Sequence, residues 1–186
     1  MSNSQLDAAG VEQIKESGRA RFDLRDHELT PADVGIPADR AGPIVGRPGD
    51  DPVELTLVGP DGEETVSTST FGATFLTTGK AARNITWFES YDTEDEAFAA
   101  LDAATDRWGL TREAVDNWRR TLAPDGEQEV SLRPSVGPGG LVAQVTVRGE
   151  AGGGQTHQRA VLLDPRYYAP DALERIRETG EMPSRG

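Results

Sequence analysis

Apolar residues recur along this chain at two periods, and the switches between them mark its elements. Over residues 53–57, Val53, Leu55 and Leu57 alternate with Glu54 and Thr56, the period of a strand with one buried and one wet face. The β-branched run 65–70 answers it across Gly59-Pro60-Asp61-Gly62. There proline presets φ and glycine supplies a positive one, so the pair predicts a hairpin. Residues 71–78 extend it or form another strand, bent at Gly72. Residues 84–91 form a third strand, with Ile85, Trp87 and Tyr91 on one face and Thr86, Phe88 and Ser90 on the other. Glu89 interrupts the apolar face. Residues 129–133, 141–148 and 155–163, separated by Gly- and Pro-rich stretches, predict an antiparallel meander.

The helical period appears between these strands. Phe98, Leu101, Ala104 and Trp108 share one stripe behind a capping box of Thr93 and Glu96. Gly109 and Leu110 end that helix as a left-handed cap followed by an apolar contact. Thr111 then caps a second helix carrying Ala114, Val115, Trp118 and Leu122. A break this short turns the two helices into a corner. Residues 5–21 read as a helix weakened by Gly10 and Gly18, or as a fraying arm. Residues 29–33 read as one helical turn, capped by Thr30 with Pro31 at its first position. Residues 37–52 have no period and form a loop, and Pro170 and Gly180 bracket a final helix with Leu173 and Ile176 inward.

These elements predict an α+β fold: an antiparallel sheet of about five to six strands with the 93–122 helix pair packed on one face. Residues 1–52 make an N-terminal helix or arm and a Pro/Gly-rich loop, and 53–186 the α+β domain, together one globular unit. The 186 residues suffice to bury a core without staples, although only 35% are apolar and Gly and Pro number 21 and 12. That composition favours short elements and many turns.

Charge and chemistry narrow the function classes. The net charge of −13 is spread along the chain, which opposes nucleic acid and anionic lipid surfaces. The absence of cysteine removes disulfides, thiol catalysis and thiolate metal sites. His27 and His157 have no metal-ligand spacing, and His157 reads as a surface or rim residue. The glycine run 152–154 lacks the features of a phosphate loop, and the acidic run 92–96 lacks the oxygen spacing of a calcium loop. No cofactor and no metal are expected, nor is a transmembrane segment, since no stretch approaches the ~20 apolar residues needed. Trp87, Phe88 and Tyr91 are the candidate ligand- or partner-binding residues, because their strand carries large side chains on both faces. The Phe88 face is then covered by the N-terminal segment or left for a ligand.

The segment WFESYDTEDEAFAALDAATDRWGLTREAVDNW, followed by the Gly/Pro-punctuated meander, resembles the mature parts of uncharacterised actinobacterial envelope proteins, predicted lipoproteins among them. The 29–33 turn fits the same pattern, and the resemblance covers about half of the chain. Its motifs are structural and bring no functional residue with them. The resemblance implies a cell-envelope or secreted protein in mature form, its export signal and lipidation cysteine removed. The chain as written shows neither, and without such processing the expected compartment is the cytoplasm. The resulting expectation is a non-catalytic envelope binding or structural domain. The alternative is an intracellular acidic protein-binding domain, such as an immunity protein facing a basic toxin. An orphan carboxylate-dependent hydrolase comes third.

Overall fold

The computed structural model describes residues 3–38, 40–75, 82–122, 128–150 and 152–181. Helix α1 (Ala8–Ser17) is capped by Asp7, whose side chain accepts from the Gly10 N–H at 2.7 Å. It stops at Gly18, where φ is 65°, a conformation glycine adopts without a Cβ penalty. The expected helix over 5–21 is therefore too long. Beyond Gly18 the period changes: Ala20 and Phe22 are buried between Arg19, Arg21 and Asp23, and strand β1 (Arg19–Asp23) follows. Its edge is covered by the chain before α1. Ser4 N–H donates to the Arg21 carbonyl, and Asn3 Oδ1 accepts from the Asp23 N–H, which closes an otherwise open strand edge. At Pro31–Val34 a single 3-10 turn carries a full capping box between Thr30 and Asp33.

Two sheets result. β1 pairs in parallel with β3 (Val53–Val58), and β3 forms an antiparallel hairpin with β4 (Glu63–Thr68). The second sheet runs β2 (Ile44–Gly46), β5 (Thr70–Phe75), β6 (Ala82–Tyr91), β10 (Gln155–Leu162), β9 (Val142–Gly149) and β7 (Gln128–Ser131), with β8 (Ser135–Val136) also on β9. All its pairs are antiparallel. The chain changes sheets at Ser69, where the Thr68 hydroxyl accepts from the Thr70 N–H (3.2 Å) and lies 2.9 Å from the Phe88 carbonyl. Residues 65–75 therefore serve two sheets, not one extended hairpin. The expected turn at 124–126 lies outside the described residues, as do 76–78 of the expected strand.

The fold is α+β, with the helix pair α2 (Glu94–Trp108) and α3 (Arg112–Thr121) on one face of the large sheet. Thr93 accepts from the Glu96 N–H, Gly109 takes φ 67°, and Thr111 accepts from the Ala114 N–H. The corner buries Leu110 at 4% exposure. Trp108 meets Trp87 of β6 at 5.4 Å between ring centroids, and Trp118 of α3 donates its indole N–H to Gln155 of β10 at 3.2 Å. The small sheet joins the same core through Phe22 and Phe71, 6.1 Å apart and edge-on. One buried cluster runs from Leu6 to Leu163. The last helix, α4 (Pro170–Thr179), buries Ala172 and Ile176, with Leu173 only half-buried.

The hairpin turn departs from its expected chemistry. Neither Gly59 nor Gly62 has a positive φ. Gly59 is needed for space, since a Cβ there would lie 2.1 Å from the Gly139 carbonyl oxygen, whereas one at Gly62 would meet nothing within 4 Å. Gly59→Ala should cost about 1–3 kcal/mol by forcing two backbones apart, and Gly62→Ala should stay within about 0.5 kcal/mol of the parent. Urea titration of both variants checks this, and equal stabilities would contradict it. Trp108→Ala should cost about 3–5 kcal/mol in the same assay.

Candidate functional site

Alternation decides which side chains of β6 and β10 meet the helices. Tyr91, Glu89, Trp87 and Ile85 lie opposite Gln155, His157, Arg159 and Val161, and directly paired residues share a face. One end of this double row is apolar. The other is polar and still covered: Gln155 is 1%, His157 0% and Arg159 4% exposed. The expected surface or rim position of His157 is thus overturned. Neighbours in sequence are polar, but the strand turns this residue to the face covered by the helix pair.

The carboxylate of Glu89 organises the polar end. Its Oε2 accepts from Arg159 Nε at 2.9 Å and from the Tyr91 hydroxyl at 2.8 Å, and its Oε1 from the Trp87 indole N–H at 3.3 Å. Burial alone would raise the pKa of Glu89. The Arg159 charge and the three donors bring it below the ordinary carboxylate value. Burial and the Glu89 charge push the Tyr91 phenol strongly up. Gln155 Oε1 takes the indole N–H of Trp118, which orients the amide, and lies 3.3 Å from His157 Nε2. An acceptor at that position assigns the imidazole proton to Nε2 and leaves Nδ1 as an acceptor. Burial, then the positive charge of Arg159, lowers the His157 pKa to about 4, with Glu89 opposing.

Three atoms of this row have no hydrogen-bond partner: Gln155 Nε2, His157 Nδ1 and Arg159 Nη1. They belong to alternate residues of β10 and so to one face. Buried polar groups are nearly always satisfied, so three unpaired atoms along one strand stand out. Beside Arg159 the packing leaves open space. A recess of about 190 Å³ lies between α2 and the sheets, lined by Ala100, Ala103, Ala104, Arg107 and Trp108, by Val66, and by Glu89, Tyr91 and Arg159. Arg107 at its rim donates to the Thr65 carbonyl and packs over the Trp108 ring.

A groove of about 470 Å³ adjoins the recess, lined by Thr68, Thr70, Phe88, Ser90 and the loop prolines Pro48 and Pro52, and sharing Glu89 and Tyr91 with it. The cause is strand length. β5 pairs with β6 only as far as Phe88, so residues 89–91 run on without a neighbour on that side. Of the three candidates from sequence, Phe88 and Tyr91 line the groove, both half-buried. Trp87 is 0% exposed and reaches the site only through its indole N–H. Among the described residues the N-terminal segment lies along β1, and none of it lines the groove at Phe88.

Arg159, Gln155 and Arg107 were not singled out from sequence, and His157 reads there as a surface or rim residue. The available signal was the alternation of Gln155, His157 and Arg159 on the face that Val161 continues, matched by Glu89 on the apolar face of β6. Elsewhere, Glu64 is 6% exposed, its Oε1 accepting from the Gly139 N–H at 3.0 Å. Burial raises its pKa. His27 stacks on Tyr168 at 3.7 Å, and burial lowers its pKa. Among the described residues no group of three His, Cys, Asp or Glu side chains is arranged to hold a metal ion, and no helix is long and apolar enough to cross a membrane. Comparison with protein-family models, with curated proteins and with solved structures finds no match to this chain.

Acid should unsettle this site. His157 has a folded pKa near 4 against an unfolded value of 6.5, so the unfolded chain binds the extra proton between those limits. Its contribution is complete above pH 6.5 and is lost as pH falls toward 4. The lowered Glu89 acts in the same direction, and the raised Glu64 in the opposite one. The difference between the parent and His157→Gln isolates the imidazole. Between pH 7 and 4 the parent should lose on the order of 3 kcal/mol more than the variant. Parallel stability profiles in chemical denaturation would show that the imidazole is hydrated in solution.

Proposed function

We propose that the chain is a non-catalytic binding domain whose ligand occupies the recess beneath α2. The observation that carries this reading is the Arg159 guanidinium: buried, held on one side by Glu89, lining the recess, and with Nη1 unpaired. Leaving a buried donor unmade costs about 1–3 kcal/mol, and a ligand acceptor recovers that cost. Catalysis by carboxylates finds less support. Glu89 is engaged by three donors, and Glu64 faces the backbone of the loop before β9. The charge of −13 supports a ligand or protein partner over nucleic acid. The segment that resembles envelope proteins, residues 87–118, also supplies most of the recess wall, with Val66 and Arg159 completing it. We carry the envelope setting with the proposal on that basis, and fractionation of native cells tests it.

Filling the recess tests the binding reading. Ala100 is half-buried on the recess side of α2, and Ala100→Leu keeps a good helix former there. A series of fragment-sized acids, amides and alcohols, followed by two-dimensional NMR, should give compounds that shift the amide signals of residues 100–108 in a saturable way. The Ala100→Leu protein should stay folded and lose those shifts by at least tenfold in affinity. Compounds that bind both proteins equally, or none that bind at all, would remove the recess as the site.

A further inference from the structure

We infer that the recess takes a small organic monocarboxylate, its carboxylate on Arg159 and its apolar body against the alanines of α2. This rests on the reading of the recess as a binding site and adds the chemical class. The charges at the recess set the class. Glu89 pairs with Arg159, and Arg107 makes no salt bridge among the described residues and is opposed at longer range by the buried Glu64, whose pKa burial raises. Two guanidiniums therefore favour an anion here. A second anionic charge would face Glu89 and the overall charge of −13. The available hydrogen bonding agrees. The Tyr91 hydroxyl is spent on Glu89, so Arg159 is the unpaired donor in the lining, and an oxygen acceptor is what it lacks.

Geometry fixes the orientation and the size. Arg159 is held by its 2.9 Å contact to Glu89, so its guanidinium is fixed in place before binding. In the same lining, Ala100, Ala104 and Val66 offer methyl groups and no polar side-chain atom. A ligand polar at one end and apolar at the other fits that division. The volume of about 190 Å³ suits a short-chain or single-ring acid.

Matched acid and amide probes on the full chain test the class. Sodium acetate and sodium benzoate are titrated beside acetamide and benzamide, with inorganic phosphate and sodium chloride as ionic controls, and the indole N–H signals of Trp87 and Trp108 are followed by NMR. At least one carboxylate should bind ten times or more tightly than its amide, and phosphate should behave as sodium chloride does. Arg159→Met should abolish the preference for the acid. Should that variant not fold, Arg107→Gln, at an exposed position, should reduce carboxylate affinity severalfold and leave amide affinity unchanged. Equal binding of acid and amide would overturn the carboxylate class and leave the binding reading standing. Phosphate binding as tightly as the best carboxylate would also overturn the class. Absence of any saturable shift, with all four organic probes and the wider fragment series, would remove both.

Discussion

The ion pair of Glu89 and Arg159 constrains everything around it. Two charges lie beneath a helix pair, where desolvation costs several kcal/mol per ion unless each is neutralised and hydrogen-bonded. Glu89 meets that demand by drawing in Trp87, Tyr91 and Arg159, which come from two strands. Arg159 lies diagonally across the β6–β10 ladder from Glu89, with His157 directly opposite. A slip of one residue in register would turn the whole set to the open face of the sheet. The pair thus specifies how β6 and β10 align, in addition to any stability it contributes.

Along the β6–β10 seam the interior changes character. Ile85 and Val161 are fully buried and apolar, while Tyr91 and Gln155 at the other end are polar. The two helices follow this gradient. α2 presents Leu101 and Trp108 to the apolar part, but its residues 100, 103 and 104 are alanines where the seam becomes polar. Short side chains on the helix opposite long polar ones on the sheet leave unfilled space. Trp118 answers the same gradient from α3, burying its ring and giving its N–H to Gln155. The recess, the groove and the three unpaired atoms all lie where apolar packing gives way and β5 no longer flanks β6.

Local chemistry made much of this fold legible. Thr93, Gly109, Thr111 and Thr30 cap where their side chains and backbone preferences demand, because caps depend on residues within three or four positions. The β3–β4 hairpin and the β7–β9–β10 meander followed from alternation. The parallel pairing of β1 with β3 did not, since a five-residue strand following a helix carries no mark of which distant strand it will join. Gly59 was legible as a turn residue for the wrong reason: its role is set by the Gly139 carbonyl, eighty residues further along the chain.

The sequence by itself determined the β3–β4 hairpin, the faces of β6 and the helix corner at Gly109, because periodicity and capping are properties of neighbouring residues, while β1 and β2 fell in stretches read as helix and loop. Tertiary structure alone decided the site. Glu89 was visible as a break in an apolar face, but its partner is 70 positions away. His157 reads as a rim residue in sequence, yet the helix pair covers its strand. Whether a polar residue on an alternating strand meets water or a buried partner depends on what packs over that face, and no local pattern encodes that. Burial then sets the chemistry, lowering His157 to about 4 and leaving Arg159 with a donor unused.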